Sequence, residues 1–201
     1  QALSAAIVSG EIAPGSVVAV PALALEFGVS ATPVREAMLN LAKLGFVEAM
    51  RNRGFRVSTV SEQDLHELVQ LRRWLEAPAM RVVADKLDGR PIERYRKLAH
   101  SISAAAARSD FAEFLAADTE FHLALLELAD NRRLVGLVAD LRRQTRLVGL
   151  ATLSHTPELE ISSNEHDLLL DLLVAGRGEE AEQLMNTHIG HIVGWWAGLP
   201  E

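Results

Sequence analysis

Turn-forming residues divide this chain of 201 residues into two parts that require different architectures. In the first part, which ends near position 60, glycine or proline recurs every few residues and permits only short helices and strands. These breaks fall at Gly10, Pro14-Gly15, Pro21, Gly28, Pro33, Gly45 and Gly54. Beyond Ser61 the breaks lie far apart, and apolar residues recur at three- and four-residue spacing. The sequence therefore predicts two domains, residues 1–60 and residues 61–201.

Six helices are predicted in the second part. Ser61 is a suitable N-cap for the first of them, which should extend to about Leu87 with a kink at Pro78. The other five are expected over residues 92–107, 110–129, 133–150, 157–174 and 179–196. Helices joined by such short loops favour an antiparallel bundle of six to seven helices. The predicted fold class is therefore mainly α.

The first part predicts a winged helix-turn-helix. A short helix over residues 22–27, a turn at residues 28–30 and a second helix over residues 32–44 follow one another, and two short strands then flank a basic turn. In a helix-turn-helix, the N-terminal residues of the second helix meet base edges, which here points to Pro33 and Arg35. Arginines in a wing turn, such as Arg51 and Arg53, reach phosphate or the minor groove.

The charge distribution supports different partners for the two parts. The formal net charge of -7 argues against a purely electrostatic nucleic-acid coat. The first 60 residues, however, carry five basic and four acidic residues, and all five cations lie between positions 35 and 56. The net charge is therefore +1 on the first part and -8 on the remainder. The chain contains no cysteine, which excludes disulfides and thiol catalysis.

Four residues of the second part form a candidate metal site. Asp118 and His122 share one helix face because they are four residues apart, although this spacing also occurs by chance. His166 and His188 lie in two later helices, so three helices could supply four ligands to one point of the bundle. Three neutral imidazoles and one carboxylate suit Zn, Mn, Fe or Ni and leave positions open for water or a carboxylate. His191 is the weaker candidate for the last ligand.

Arginines predicted to face the bundle are candidate contacts for an anionic effector. Arg72 lies in the first bundle helix, and Arg142 or Arg146 lies in the fourth; Arg72 and Arg146 are the preferred pair. A planar guanidinium binds a carboxylate in a bidentate manner. The alternative is that these side chains extend along a helix surface into solvent.

The motifs of both parts resemble one known family. The run Gly28-Val-Ser-Ala-Thr-Pro-Val-Arg-Glu-Ala-Met38, followed by Gly45-Phe46-Val47 and Arg53-Gly54-Phe55, is similar to the winged-helix module of the GntR family of bacterial transcription regulators. The patterns Asp118-Thr-Glu-Phe-His122, Glu165-His166 and Met185-Asn-Thr-His188 look like the FCD ligand-sensing domain of its FadR-type subfamily. Together the two modules cover nearly the whole chain.

The resemblance implies a function and a set of contacts. A homodimer would bind a palindromic operator in double-stranded DNA, with Arg35 on a base or phosphate and with Thr32 and Gly54 as backbone contacts. The matching Asp and three His would bind a divalent ion beside an effector cavity. Two departures remove expected cations: Ala31 stands where the family usually has arginine, and Val20-Pro21 stands where it often has a Glu-Arg pair.

Two other functional classes compete with a regulator. A metalloenzyme could use such ligands to activate water, but Glu-x-x-His, His-Glu-x-x-His and Gly-x-Ser-x-Gly are absent from the chain. A metal-free dimerisation bundle with scattered histidines is the third hypothesis. No signal peptide or membrane span is recognisable. We therefore expect a cytoplasmic regulator, not an enzyme, with zinc as the first choice of metal and a small carboxylate as effector.

Overall fold

A computed structural model describes residues 3, 6–7, 11–43, 45–87, 89, 91–145 and 156–194. The first 60 residues contribute two described helices and a three-stranded antiparallel sheet, and the later residues contribute six described helices. The predicted fold class, a winged helix-turn-helix followed by a helical bundle, is thereby confirmed. None of the helices in the described stretches is long and apolar enough to cross a lipid bilayer.

The helix-turn-helix consists of α1 (Val20–Glu26) and α2 (Ala31–Lys43), and each begins within two residues of its predicted start. Pro21 lies in the first turn of α1, where its missing N–H has no intrahelical acceptor to lose. The two helices bury Leu23 and Met38 in the core of the module. Leu44, the predicted end of the second helix, lies outside the described residues.

The wing is formed by β2 (Val47–Met50) and β3 (Gly54–Val57), which pair antiparallel around the predicted basic turn. A two-residue strand, β1 (Val17–Val18), pairs with the other edge of β3 and was not predicted. Gly54 has a φ of +100°, and a side chain on it would collide with the Val18 carbonyl group. The fold itself therefore requires glycine at position 54.

The bundle follows the predicted order of helices. Its members are α3 (Glu62–Leu87), α4 (Glu93–Ala107), α5 (Phe111–Glu127), α6 (Arg132–Thr145), α7 (Pro157–Val174) and α8 (Gly178–Gly190). The helix α3 continues through Pro78 without a break. The predicted end of α6 at residue 150 lies outside the described residues, whereas α8 ends at Gly190 and residues 191–194 form a turn, before the predicted end at residue 196.

Side-chain caps explain where several helices begin. The Ser61 hydroxyl accepts a hydrogen bond from the Asp64 amide at 3.1 Å, which confirms the N-cap expected for α3. Asp110 caps α5 in the same way through the amide of Glu113. At the start of α6, the Asn131 side-chain oxygen accepts from the amides of Arg133 and Leu134.

The helix α3 lies at the centre of the bundle and contacts α5, α6, α7 and α8. The helix α4 packs against α5 and α7 on the outside of this arrangement. Fully buried apolar residues such as Val83, Ile102 and Leu170 fill the interior. Because α3 is surrounded by other helices, polar side chains on its inner face must find partners inside the bundle.

Candidate metal centre

The four predicted metal ligands lie together in the interior of the bundle. Asp118 and His122 project from α5, His166 from α7 and His188 from α8. One ligand atom from each residue lies within 4.8 Å of the other three. Three helices therefore bring one carboxylate and three imidazoles to a single point.

The separations of three donor atoms match a coordination shell. His166 Nε2 lies 3.2 Å from His122 Nε2 and 3.2 Å from Asp118 Oδ1. His122 Nε2 lies 3.5 Å from the same Asp118 oxygen. Donors bound about 2.0–2.2 Å from one ion lie roughly 3.0–3.5 Å apart in octahedral or tetrahedral geometry. The donor set and its spacing therefore fit a divalent transition metal.

Burial and neighbouring charges set the protonation of this cluster. Burial, together with the nearby Arg142 guanidinium, lowers the pKa of His122 well below its usual range. Burial also lowers the pKa of His188 to about 4. For Asp118, burial alone would raise the pKa, but Arg142 and His122 outweigh it and hold that pKa well below its usual range. At neutral pH the cluster thus offers two neutral imidazoles and a carboxylate for metal binding.

The second nitrogens of the three imidazoles have different surroundings. His166 Nδ1 lies 3.0 Å from the Ser163 carbonyl oxygen, an acceptor that requires an N–H on Nδ1. His188 Nδ1 lies 2.7 Å from a carboxylate oxygen of Glu165. His122 Nδ1 is buried and has no hydrogen-bond partner in the described part of the chain.

His191, the weaker candidate ligand, lies beside Glu165 and outside the ligand group. Its Nε2 is 2.9 Å from Oε1 and 3.1 Å from Oε2 of Glu165. Burial would raise the pKa of Glu165, but hydrogen bonds from His188 and His191 lower it to about 2. Glu165 is therefore ionised at neutral pH.

A buried network of charges adjoins the metal cluster. The Arg142 guanidinium donates to Asp118 Oδ2 at 2.9 Å and to Glu76 Oε2 at 2.6 Å. Arg72 donates to Glu76 Oε1 at 2.6 Å and to the Thr145 hydroxyl at 3.1 Å. Burial would raise the pKa of Glu76, yet the two arginines lower it. Two cations and two carboxylates are thus paired in the protein interior.

The network contains two of the candidate effector contacts, Arg72 and Arg142. Arg72 lies inside the bundle, with only 3% of its surface exposed, and not on the helix surface. Arg142 is the arginine of α6 that reaches the site, whereas Arg146 lies outside the described residues. A cavity of about 20 Å³, room for one water molecule or ion, adjoins these groups. It is lined by Arg72, Leu115, Asp118, Arg142, Thr145, His188 and Ile192.

Sequence reasoning missed three charged or polar partners of the site. The i, i+4 spacing of Arg72 and Glu76 was a signal that the two side chains could pair along one helix face. Thr145 and Glu165 gave no comparable signal, because their partners lie on other helices. Only the packing of the bundle brings these groups together.

The proposed DNA contacts are displayed on the surface of the N-terminal module. Thr32, Pro33 and Arg35 are exposed at the start of α2, while Val34 points into the core. Arg51 and Arg53 are exposed in the turn between β2 and β3. Both recognition elements therefore present their polar residues to solvent.

Comparison with known proteins matches both modules. Residues 1–57 match the model described as "Bacterial regulatory proteins, gntR family", and residues 67–191 match the FCD domain. The chain is 32% identical, over 91% of its length and 80% of the relative's, to a probable D-xylose utilization operon transcriptional repressor of Paenarthrobacter nicotinovorans.

Solved structures agree with this assignment. A putative transcriptional regulator GntR from Rhodococcus sp. RHA1 is 26% identical with a TM-score of 0.62, covering 100% of this chain and 96% of that one. E. coli McbR/YncC, 23% identical, shares the fold with a TM-score of 0.65 over 94% of this chain and 91% of its own. The chain belongs to the GntR family of bacterial transcription regulators, which are not enzymes, and carries an FCD domain.

Proposed function

We propose that this protein is a cytoplasmic, homodimeric, metal-containing regulator of the FadR type, whose operator binding changes when a small carboxylate binds in the bundle. The observation that carries the proposal is the convergence of Asp118, His122, His166 and His188 beside two buried arginines. Residues 1–60 would read DNA, and residues 61–201 would bind the metal and effector and hold the dimer together. Family membership sets aside the metalloenzyme hypothesis.

The DNA contacts are proposed on the exposed ends of the module. Thr32, Pro33 and Arg35 would enter the major groove at the N-terminus of α2. Arg51 and Arg53 would contact phosphate or the minor groove from the wing, with the backbone at Gly54 close to the DNA.

The four proposed ligands would hold a divalent transition metal, with zinc as the first choice and Ni, Mn or Fe as alternatives. Such an ion supplies a positive charge and open coordination positions. Asp118 Oδ1 faces the histidines while Oδ2 accepts from Arg142, so one carboxylate can serve both partners.

The effector contacts are proposed on Arg72 and Arg142. Arg146 remains a proposed contact that lies outside the described residues. A cavity of about 20 Å³ cannot admit a carboxylate group with its two oxygens and the carbon skeleton behind it. Binding would therefore require an arginine side chain, or the end of α6, to move away from the ligand cluster.

The end of α6 also contacts the DNA-binding module. Gly45, with a φ of +85°, packs so closely on Arg143 that an added Cβ would lie 2.6 Å from the Arg143 carbonyl oxygen. Arg143 directly follows Arg142, whose side chain enters the site. A displacement of α6 by an effector would thus press on, or release, the residue that joins α2 to the wing.

A second copy of the chain is proposed to pack on α3. Leu71, Trp74, Pro78 and Val82 are exposed and lie on one face of this helix, and Trp74 is 63% exposed. An exposed apolar stripe of this kind is typical of a protein interface. The helix α3 begins only a few residues after the wing, so parallel pairing of two copies along it would place both winged helices at one end, as a palindromic operator requires.

Replacement of Arg35 by alanine should weaken binding to the operator. Loss of a base or phosphate contact in each half-site costs about 1–3 kcal/mol per contact, so we expect at least a roughly tenfold loss of affinity. The measurement is a gel shift with the DNA upstream of the protein's own coding sequence, with Lys97→Ala in the exposed part of α4 as control. Unchanged affinity of Arg35→Ala would contradict the proposed register of α2.

Replacement of Trp74 by glutamate should dissociate the dimer, because an isologous interface would bury two added charges. Sedimentation velocity should change from a dimer to a monomer, while Leu168→Glu, at another exposed apolar position on α7, should remain dimeric. A dimer that persists in Trp74→Glu would place the interface elsewhere.

The metal site is tested by elemental analysis of protein purified without a nickel column. The wild-type protein should contain a stoichiometric divalent metal, and Asp118→Ala and His166→Ala should lose it because each removes a ligand. His100→Ala, an exposed histidine outside the cluster, should keep it. Equal metal content in all four proteins would refute these ligands, and no metal in any of them would favour the metal-free dimerisation bundle.

The effector site is tested by thermal unfolding in the presence of a panel of small carboxylates. A ligand at about 100 times its Kd should stabilise the protein by about 2.7 kcal/mol, and a chelator should abolish the effect. Arg72→Lys should also abolish it, because lysine lacks the bidentate fork, whereas Arg73→Lys, whose parent arginine bonds to the Asn186 carbonyl, should not. Stabilisation that survives both chelation and Arg72→Lys would place the anion elsewhere.

A further inference from the structure

Glu165 lies at the outer edge of the metal cluster, between two histidines. One carboxylate oxygen is 2.7 Å from His188 Nδ1, and both oxygens lie within 3.1 Å of His191 Nε2. Glu165 is only 12% exposed at its side chain, and His191 is 1% exposed. The contact is therefore a buried arrangement and not a surface ion pair.

The chemistry of the carboxylate determines where the imidazole protons lie. An ionised carboxylate only accepts hydrogen bonds, so the ring nitrogen that faces it must carry a proton. His188 must then have its N–H on Nδ1, which leaves the lone pair on Nε2. In this tautomer the lone pair on Nε2 is available to bind a metal ion together with Asp118, His122 and His166.

Glu165 is prevented from acting as a ligand itself. Both of its oxygens are engaged by His188 and His191, and it is not a member of the group of converging ligand atoms in the described residues. His191 thus holds the carboxylate through both of its oxygens while His188 contacts one of them. A swing of Glu165 toward the cluster would break three short contacts.

The other two ligand histidines lack a charged partner at Nδ1. His166 Nδ1 faces a neutral backbone carbonyl, and His122 Nδ1 has no partner in the described part of the chain. A carboxylate partner raises the basicity of an imidazole more than a neutral one does. Among the described contacts, His188 is therefore the ligand whose electronic character depends most on a neighbour.

We propose that Glu165, held in place by His191, is a positioning residue that sets the tautomer of His188 and thereby the affinity of the cluster for its metal. The inference rests on the proposed metal site. The inference explains why His191 is buried although it is not a proposed ligand. His191 holds the carboxylate in place, and of these two histidines only His188 would face the metal ion.

The direct test is the tautomer of His188 in the full-length, metal-free protein, read from the ¹⁵N shifts of its ring nitrogens by NMR. The wild type should have the proton on Nδ1 at neutral pH, and Glu165→Ala should shift His188 toward the Nε2–H form. Glu160→Gln, which changes an exposed carboxylate of the same helix, should leave the spectrum of His188 unchanged. An Nε2–H tautomer in the wild type would overturn the inference.

Zinc affinity, measured by competition with a chromophoric chelator, gives the second readout. Glu165→Ala should weaken zinc binding by about 10- to 100-fold. Glu165→Gln, nearly equal in shape, should lie between wild type and Glu165→Ala, since its amide oxygen can still accept from His188. If both variants fold normally and bind zinc as tightly as the wild type, the inference is overturned.

Failure of the metal site and failure of the role of Glu165 give different results. If the wild-type protein binds neither zinc nor Ni, Mn or Fe, the proposed metal site is wrong, and the tautomer measurement still decides the role of Glu165 toward His188. If the wild type binds zinc and Glu165→Ala keeps both the tautomer and the affinity, the metal site stands and Glu165 does not position it.

Discussion

Four charged side chains, those of Arg72, Glu76, Asp118 and Arg142, are buried in the bundle interior and must all be paired there. Removing a charged side chain from water costs several kcal/mol, and only complete pairing compensates for it. Here each carboxylate accepts from at least one arginine, and Arg142 bridges both. Stability alone does not require such a network, because apolar residues of similar volume often serve as well. If one of the four charged side chains were removed, however, its partner would remain buried without a compensating charge. All four must therefore be present together.

The balance of these charges links the proposed metal to the proposed effector. The four side chains sum to zero, Glu165 adds one negative charge, and His122 and His188 are held neutral. The two charges of a divalent cation in the cluster would therefore still exceed the one negative charge left to balance them, in a medium that solvates the excess poorly. A carboxylate beside Arg72 and Arg142 would offset that excess. The two ligands should therefore favour each other's binding, and this coupling is reciprocal. An anion without the cation would have to compete with Glu76 and Asp118 for arginines already satisfied.

The sequence was sufficient for the helices but not for the contacts between them. Regular apolar spacing and the N-cap at Ser61 placed the starts of the bundle helices to within about two residues, because those signals are local, whereas the end of α8 was predicted several residues too late. The strand β1 escaped prediction because two residues carry no periodicity. Asp118 and His122 could be paired by their spacing, whereas adding His166 and His188 to one site also needed the family resemblance. Local spacing cannot predict contacts between residues of different helices. These are the hydrogen bonds from Arg142 to Glu76 and Asp118 and the contact between Glu165 and His188.

The winged module lacks two cations that the family resemblance leads us to expect, at Pro21 and Ala31. Val20 is buried in the core of the module, so a charged residue there would not fit without rearrangement, whereas Pro21 and Ala31 are exposed and could have carried cations. Each absent phosphate contact lowers the salt dependence of DNA binding by about one unit of slope. With a charge of -8 on the bundle, non-specific attraction to DNA is weak. In the proposed mode of binding, operator affinity would depend mainly on Arg35, the wing arginines and the spacing of two half-sites. A small rotation of the modules through α6 and Gly45 would then change a large share of the total binding free energy.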